Sequence, residues 1–583
     1  MKMGNAIGIL SLCVLNHCAS RNKGVVPAQM LSQDRAQYEA VAPHQMVTSQ
    51  GVATSRAAYR VLEAGGNLID AAIAASFAVS VERPQSTGLG GGGFLLYRDA
   101  KSGKIIAFDF RERAPRLATQ NMFLDARGNV SKKASIDGMR AVAVPGLVAG
   151  LAAIHARYGS LPWKKLLEPA IELAETGFEV YPDLASALRE RKDVLLASAE
   201  AKKIFLKADG STLVEGDRLI QKDLARTLRI IAQKGREGFY AGPVARAIVA
   251  ESRRLGGILS QADLKNYRVR EREPVRGHFR NWDIVSMPPP SSGGTHVIEI
   301  LNIFEALKPE SGVALASGGT EENAQTVHFM ASAMQAAFAD RAEFLGDPEF
   351  SKIPLKGLLS KRYAQDLAAK IPRDYVRPAS EISAGQPLAH ESNDTTHMTL
   401  MDIDGSAVIT TQTINGLMGS GVVVPGTGLI LNNEMDDFSA KKGALNLFGA
   451  VGGTPNIIEP GKTPLSSMSP TLVLKNNKPV LALGSPGGTR ILTCVALTLW
   501  NRLELQRSLF DSVVAVRFHQ QWRPDELLVE TPGLPKDIEL ELAKMGHSIK
   551  RVNPYCRINV IENEGNQLRG VADPRDIGLS VGR

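Results

Sequence analysis

Apolar and polar positions alternate along the chain with two periods, one typical of helices and one typical of strands. Alanine-rich segments end at Gly65-Gly66 and before Arg83-Pro84, and both sequences commonly terminate helices. A helically spaced apolar stripe, including Leu224, Leu228 and Ile231, marks a longer region of the same type. The pattern predicts helices over residues 57–64, 69–81, 296–307 and 323–345 and a mainly helical region over 145–255.

Short runs rich in β-branched and aromatic residues predict strands joined by tight turns. Asp404-Gly405 and Asn476-Asn477 are turn sequences that favour β-hairpins. Residues 372–393 combine prolines with polar residues and lack an apolar period, which predicts a flexible, exposed segment. The predicted strands cover residues 94–97, 105–108, 397–402, 407–411, 471–474 and 479–482.

The composition is typical of a soluble globular protein, since 44% of the 583 residues are hydrophobic and 22% are charged. It excludes collagen, a coiled coil and a largely disordered chain. At roughly 150 residues per domain, the length predicts three or four domains. The net charge of +8 does not indicate nucleic-acid binding, because charges alternate in sign, as in residues 268–273, and no long basic run occurs.

The first 20 residues have the pattern of a secretory signal peptide. Lys2 precedes a mostly apolar stretch over residues 6–15, and Cys18-Ala19-Ser20 follows. About ten apolar residues are too few to cross a bilayer, which takes about 20, so no membrane span is expected. Removal of residues 1–20 would place the protein in the periplasm or outside the cell. Lipid attachment at Cys18 is less favoured, because Asn16 and His17 precede it, and an N-terminus without function stays open.

Removal of that segment would leave two of the four cysteines, Cys494 and Cys556, which are enough for one disulfide but not for a disulfide framework. Whether they pair stays open. The histidines and cysteines show no zinc-ligand spacing, so neither a metal nor another cofactor is expected.

Two glycine-containing motifs resemble nucleotide-binding sequences but stand in the wrong context. Residues 88–93 match G-x-G-x-x-G, but a predicted helix precedes them and a strand follows, the reverse of a dinucleotide-binding site. Gly461-Lys462-Thr463 resembles the end of a phosphate-binding loop, but Asn456 occupies the position that requires glycine. Both motifs are therefore excluded as nucleotide sites.

Asn393-Asp394-Thr395-Thr396-His397 lies where the polar segment meets a predicted strand. A threonine hydroxyl is a weak nucleophile unless a base is adjacent, and an N-terminal α-amine can be that base. Its pKa of about 7.7–8.0 leaves it partly neutral at physiological pH. Cleavage at Asp394–Thr395 would create such a nucleophile, although two threonines opening a strand are also ordinary β-sheet residues.

Four further clusters follow within a hundred residues, and each alone is also typical of a turn or a helix start. Together they supply carboxylates for an amine, hydroxyls for a carboxylate and backbone amides for an oxyanion. The clusters are Thr413-Ile414-Asn415-Gly416, residues 431–438, residues 464–470 and residues 484–488.

With these residues the chain resembles the gamma-glutamyltranspeptidase family, also called glutathione hydrolases, from about Ala42 to Pro574. The resemblance implies an α+β fold, the four-layer αββα sandwich of N-terminal-nucleophile hydrolases. It also implies self-cleavage into a large subunit, residues 21–394, and a small subunit, residues 395–583, that interleave as a heterodimer. A site assembled from such distant segments predicts one large globule instead of several domains.

The resemblance assigns a role to each matching residue. Thr395 is the nucleophile and its amine the base, Thr413 assists processing, and Thr396 steadies the nucleophile. The remaining residues would bind substrate: Arg111, Ser466 and Ser467 its α-carboxylate, Asn415, Glu434 and Asp437 its α-amine, and the amides of Gly487 and Gly488 the oxyanion.

The implied reaction cleaves the γ-glutamyl amide of glutathione and related compounds through an acyl-enzyme, with water or an amino-acid or dipeptide amine as acceptor. Residues 437–453 resemble a lid loop, in which Phe448 replaces the tyrosine of several members. Two alternatives stay open. One is an amidase like the cephalosporin acylases, which prefer a glutaryl group, and the other is an unprocessed binding protein.

Overall fold

The computed structural model describes residues 35–310, 321–384, 396–441 and 453–583. The strands, numbered in chain order, are β1 Glu39–Ala42, β2 Gln45–Ser49, β3 Gly92–Arg98, β4 Ile105–Asp109, β5 Phe178–Glu179, β6 Arg218–Leu219, β7 Arg270–Arg272, β8 Val275–Phe279, β9 Trp282–Ser286, β10 Thr396–Asp402, β11 Ala407–Thr413, β12 Val423–Val424, β13 Leu429–Ile430, β14 Thr471–Lys475, β15 Lys478–Gly484, β16 Phe518–His519, β17 Leu527–Glu530, β18 Ile549–Val552, β19 Asn559–Asn563, β20 Leu568–Ala572 and β21 Leu579–Gly582.

The α-helices are α1 Arg35–Tyr38, α2 Val52–Glu63, α3 Leu68–Glu82, α4 Lys132–Ile136, α5 Leu147–Tyr158, α6 Trp163–Thr176, α7 Pro182–Glu190, α8 Lys192–Ala197, α9 Ala199–Phe205, α10 Lys222–Lys234, α11 Arg236–Tyr240, α12 Pro243–Arg254, α13 Gln261–Asn266, α14 Gly293–Ala306, α15 Ala324–Phe344, α16 Leu355–Leu358, α17 Lys361–Ala368, α18 Arg490–Leu499, α19 Leu509–Val514 and α20 Lys536–Lys544. None of the helices in the described ranges is long and apolar enough to span a bilayer.

Two seven-stranded antiparallel sheets form the centre of the molecule. The first sheet has the order β1-β20-β19-β15-β14-β9-β8, and the second has the order β21-β2-β10-β11-β3-β4-β7. Each sheet combines strands from before and after position 395. The two sheets and the helices outside them build the four layers of an αββα sandwich.

The alternation of side chains along β10 explains how these layers pack. Met398 and Leu400 join the core beneath α2, α3 and α5, whereas Met401 joins the core between the sheets. This second core continues through the first sheet to α14, α15 and α18. Because both faces of the second sheet are covered by apolar layers at its centre, the central strands β10 and β11 are almost completely buried.

The hairpins predicted from turn sequences are confirmed. β10 pairs with β11, and β14 pairs with β15 across Asn476-Asn477. Both asparagines have positive φ, as a two-residue hairpin turn requires. The four individually predicted helices are confirmed as α2, α3, α14 and α15, with ends shifted by a few residues. The region 145–255 is mainly helical, as predicted, and also contains the short pair β5–β6.

The polar segment is less loose than the sequence predicts over its described part, residues 372–384. Its backbone is irregular and mostly exposed, but Ala379 is buried. The Ala379 amide donates to Asp525, and the indole of Trp522 donates to the carbonyls of Ala379 and Ile382. These contacts attach the segment to the body of the protein. The rest of it, residues 385–393, lies outside the described residues.

Cys494 and Cys556 form a disulfide. It joins α18, just after the 484–488 turn, to the segment before β19. The pairing that the sequence left open is therefore decided by the fold.

Candidate active site

The predicted nucleophile, Thr395, directly precedes β10 in the sequence. Asp394 and Thr395 lie outside the described residues. Thr396 is fully buried, and its hydroxyl lies 2.8 Å from that of Ser86. The next backbone amide, of His397, donates to the side chain of Gln50 at 2.8 Å. These contacts, made by residues remote in sequence, fix the start of the strand firmly.

The end of β11 lies close to this point, because β10 and β11 are antiparallel neighbours. The Thr413 hydroxyl accepts a hydrogen bond from the Asn415 amide at 2.8 Å. Asn415 has a φ of 69°, a left-handed conformation that asparagine tolerates better than most residues. Its side-chain amide donates to the Asn433 carbonyl at 3.0 Å, which ties it to the acidic turn.

The glycine loop at residues 88–93 supports this region by close backbone packing. A Cβ on Gly91 would lie 2.0 Å from the Thr413 carbonyl oxygen, and one on Gly90 would lie 2.1 Å from the Ile430 carbonyl oxygen. Only glycine allows these approaches. Asn432, which was not predicted as a site residue, donates to the Gly90 carbonyl at 2.7 Å and accepts from the Glu434 amide at 3.0 Å.

Arg111 occupies the centre of a buried charged cluster, with 1% of its side chain exposed. Its guanidinium lies 2.6 Å from a Glu434 carboxylate oxygen and also pairs with Asp437. It donates to the carbonyls of Pro464 and Leu465, both at 3.0 Å. The predicted carboxylate-binding arginine thus contacts two of the predicted amine-binding residues directly.

Glu112 is a further acidic member of this cluster. Burial raises the pKa of its carboxyl to about 7, although the neighbouring Arg111 cation acts in the opposite direction. Burial also raises the pKa of Glu434 well above its ordinary value. The carboxyl of Glu112 is therefore partly protonated near neutral pH. No role was predicted for Glu112 from the sequence.

Ser466 and Ser467 lie in the turn next to those carbonyls, and both are buried. The Ser466 hydroxyl accepts from the Met468 amide at 3.2 Å. The Ser467 hydroxyl accepts from Arg341, a fully buried residue of α15, at 2.8 Å. Arg341 was missed by sequence reasoning, although the pair Asp340-Arg341 inside a helix of mainly small and apolar residues is an unusual signal.

Gly487 and Gly488 connect β15 to α18 in a turn that only glycine readily adopts. Their φ angles are 135° and 59°. A Cβ on Gly487 would lie 2.8 Å from the Cys556 sulfur. Neither glycine amide donates to an acceptor within the described ranges. Two amides at the start of a helix are suited to stabilising a negative oxygen.

A cleft of about 390 Å³ borders this turn. Gly487, Ser86 and the disulfide-bonded Cys556 line it together with charged residues, including Arg490 and Arg557. The cleft therefore lies beside the glycine turn and beside Ser86, whose hydroxyl contacts Thr396 at the start of β10. Phe448, in the stretch predicted to form a lid, lies outside the described residues.

The four-layer αββα sandwich is the fold of the N-terminal-nucleophile hydrolases. A cephalosporin acylase from Bacillus halodurans has a similar fold, with a TM-score of 0.81 and 28% identity over 93% of this chain and 96% of that one. Residues 54–582 match the family model described as gamma-glutamyltranspeptidase. The chain belongs to this family, which is a family of enzymes.

Two relatives illustrate the range of names within the similarity. The glutathione hydrolase proenzyme of Escherichia coli strain K12 is 41% identical over 532 residues, 91% of this chain and 90% of that protein. The acylase ACY 1 proenzyme of Pseudomonas sp. strain V22 is 37% identical over 514 residues, 87% of each. A glutathione hydrolase and an acylase thus both occur among the relatives, and the Escherichia coli glutathione hydrolase is the more similar of these two.

Proposed function

We propose that this enzyme cleaves itself between Asp394 and Thr395 and then hydrolyses or transfers γ-glutamyl groups from glutathione and related compounds. The observation that carries the proposal is the buried meeting of Arg111 with Glu434 and Asp437 beside the Ser466-Ser467 turn. A γ-glutamyl group bears an ammonium and a carboxylate on one carbon. A buried site that holds both signs of charge suits this zwitterion.

Arg111 pairs with the carboxylates of Glu434 and Asp437, and burial favours the protonated form of Glu434, so the charges of the cluster largely offset one another. Unpaired buried charges are costly, so pairing them with each other lowers the free energy of the folded protein. On binding, the substrate ammonium would pair with Glu434, Asp437 and Asn415. The substrate carboxylate would pair with Arg111 and the hydroxyls of the Ser466-Ser467 turn. Binding would thus exchange ion-pair partners, so that each charge of the substrate and of the site keeps a partner of opposite sign.

The same hydroxyl would perform both reactions. In processing, the Thr395 oxygen attacks the Asp394 carbonyl, the peptide C–N bond breaks, and the hydroxyl proton passes to the nitrogen. Water then hydrolyses the resulting ester and leaves a free α-amine on Thr395. In turnover, this amine accepts the hydroxyl proton as the oxygen attacks the γ-carbonyl, and it returns the proton to the leaving amine. Thr413 and Thr396 would hold the nucleophile in place.

The amides of Gly487 and Gly488 would stabilise the oxyanion of each tetrahedral intermediate. The cleft beside Gly487 provides a polar route by which the leaving amine departs and water, an amino acid or a dipeptide enters. Hydrolysis or transfer would follow, according to which acceptor attacks the acyl-enzyme. The large and small subunits would stay together as a heterodimer throughout.

The proposal includes export, with removal of a signal peptide near Ser20 and a periplasmic or secreted mature protein. The disulfide between Cys494 and Cys556 supports it, because disulfides persist mainly in oxidising compartments.

A glutaryl amidase is the second candidate, supported by the similarity to acylases. A glutaryl group lacks the α-amine, so it would leave the carboxylates at positions 434 and 437 without a new partner. The presence of both carboxylates in the buried cluster favours the γ-glutamyl substrate.

The test uses the full-length purified chain. We expect two fragments on a denaturing gel, with the smaller one beginning at Thr395. A γ-glutamyl anilide should release its amine, and rapid quenching should yield a small fragment that carries one additional γ-glutamyl group by mass spectrometry. Thr395→Ala should remain uncleaved because it lacks the attacking oxygen.

Thr395→Ser provides the matched control, since it retains a hydroxyl and should be cleaved, although more slowly. A chain that stays at full length after prolonged incubation would exclude self-processing. Cleavage at the same bond in Thr395→Ala would show that another agent cuts the chain.

A further inference from the structure

Arg341 on α15 connects to the Ser466-Ser467 turn through hydrogen bonds of its side chain. Its guanidinium donates to the Ser467 hydroxyl at 2.8 Å and to the Ser292 hydroxyl at 2.7 Å. The Ser292 hydroxyl and amide in turn donate to the Ser466 carbonyl at 2.8 and 2.7 Å. A single buried arginine is thus connected to both serines of the turn.

This contact determines the direction of the hydrogen bonds that Ser467 can make. A serine hydroxyl has one proton to donate and lone pairs that accept. Since one lone pair of Ser467 faces the Arg341 cation, the proton is directed to another acceptor, and within the described residues its hydroxyl donates to none. A hydroxyl oriented in this way is suited to donate to a carboxylate.

Two ionisable residues of α14, His296 and Glu299, lie next to Arg341 and contact each other. Burial and the nearby Arg341 cation lower the pKa of His296 well below its ordinary value. Burial and the neighbouring Asp340 raise the pKa of Glu299 well above its ordinary value. Both shifts favour the uncharged forms of these two side chains.

Arg111 and Arg341 approach the same turn but contact different parts of it. Arg111 donates to the carbonyls of Pro464 and Leu465 and is paired with two carboxylates. Arg341 instead donates to the hydroxyl of Ser467. Arg111 therefore binds the backbone of this segment, whereas Arg341 binds a side chain of it.

We infer that Arg341 is a positioning residue for recognition of the substrate α-carboxylate. It fixes Ser467 as a hydrogen-bond donor and adds positive charge behind it. The inference rests on the proposed function, in which Ser466 and Ser467 bind that carboxylate. It predicts that Arg341 affects substrate binding through Ser467 and has little effect on the acyl-transfer steps.

A double-mutant cycle tests this dependence. Arg341→Gln and Ser467→Ala should each raise KM for a γ-glutamyl anilide by about 10–100-fold, as expected for loss of a hydrogen bond to a charged group. kcat should change by less than about threefold. The KM of the double variant should lie well below the product expected from the two single variants, because Arg341 acts in part through the hydroxyl that Ser467→Ala removes. Multiplicative increases in KM would overturn the inference, as would equal losses in kcat.

Arg341→Lys provides a second measurement if the glutamine variant does not mature into two fragments. Lysine keeps the charge but cannot donate to both serines in the arginine geometry. An intermediate KM is expected, and a KM equal to that of the unaltered enzyme would count against the inference.

Arg98→Gln is the control for loss of a buried arginine. Arg98 donates to the Gly405 carbonyl in the β10–β11 hairpin turn and to the Asn477 carbonyl in the β14–β15 turn. It should leave KM unchanged. Failure of the unaltered chain to cleave γ-glutamyl anilides would refute the proposed function itself, whereas a normal unaltered enzyme with an insensitive Arg341→Gln variant would refute only the role of Arg341.

Discussion

At the scale of single residues, the central feature of the candidate site is the set of acceptor groups that share Arg111. Its guanidinium meets two carboxylates and two backbone carbonyls in a place closed to solvent. Each of these groups would be costly to bury alone. The groups of the cluster therefore stabilise one another, and in the proposed function a zwitterionic ligand would replace the internal ion pairs without leaving a charge uncompensated.

The importance of Asp437 should depend on whether the substrate has an α-amine. We expect Asp437→Asn to lower kcat/KM for a γ-glutamyl anilide by about 10–100-fold, since a hydrogen bond to a charged group is lost. The effect on a glutaryl anilide should be much smaller, because that substrate has no ammonium. The substitution also removes an ion-pair partner of Arg111, which would affect both substrates. Dividing kcat/KM for one substrate by kcat/KM for the other cancels this shared effect.

Asp436→Asn is the matched control in the same turn. Asp436 accepts a hydrogen bond from Ser135 at 2.6 Å, so its loss should affect both substrates equally. Equal losses for the two substrates with Asp437→Asn would contradict the amine-binding role.

At the scale of elements, the turn from β15 into α18 depends on a neighbour distant in sequence. Cys556 lies against Gly487, and its disulfide partner Cys494 lies in α18 itself. The Ser485 hydroxyl also accepts from the Arg557 amide at 2.9 Å. The turn that carries the predicted oxyanion amides is thus fixed against the segment before β19.

Removal of this disulfide should lower both stability and turnover. The cysteines are 62 residues apart, and closing such a loop stabilises a protein by on the order of 2–4 kcal/mol. We expect Cys494→Ala/Cys556→Ala to have a lower Tm and a lower kcat, because the Gly487 amide is less well fixed. Thermal unfolding and anilide kinetics measure the two effects.

Treatment of both proteins with a thiol reductant provides the control for that experiment. Reduction should lower the Tm of the unaltered enzyme toward that of the double variant and leave the variant unchanged. Equal Tm values for the two proteins without reductant would show that the disulfide does not stabilise the fold.

At the scale of the whole molecule, the proposed cut at position 395 divides neither sheet cleanly. β10 and β11 lie between β2 and β3, and β14 and β15 lie between β9 and β19. The core between the sheets also contains residues from both sides of the cut. Separating the fragments would break strand pairs inside both sheets and expose this core.

The cleaved enzyme should therefore behave as one body. We expect both fragments to elute together in size-exclusion chromatography without denaturant and to unfold in one transition as followed by circular dichroism. The uncleaved Thr395→Ala variant should elute at the same position. Fragments that separate under native conditions would contradict the interleaved arrangement.

Much of this architecture follows from local patterns. The hairpin at Asn476-Asn477 is predictable because the turn needs two left-handed residues, and asparagine tolerates that conformation. The helices α3 and α15 are predictable from their apolar runs and end signals. The anchoring of Ala379 by Trp522 and Asp525 was not predictable, since it depends on contacts across about 146 positions.

The candidate site shows the same division. The residue types that suit a γ-glutamyl group were identified from clusters and from family resemblance. Arg341 and Asn432 were missed because their partners Ser467 and Gly90 are distant in the sequence, and Glu112 was missed because the shift of its pKa depends on burial. Arg341, for example, lies 126 positions from Ser467. No local period or spacing indicates such a contact.

The sequence by itself determined the elements, the family and the chemical groups available for acyl transfer, because turn conformation, side-chain alternation and residue type act locally. The tertiary structure alone decided which groups meet. It paired Arg111 with Glu434 and Asp437, directed Arg341 to Ser467 and joined Cys494 to Cys556. The physical reason is that electrostatic and hydrogen-bond energies depend on distance and burial, and only the packing of two shared sheets sets these.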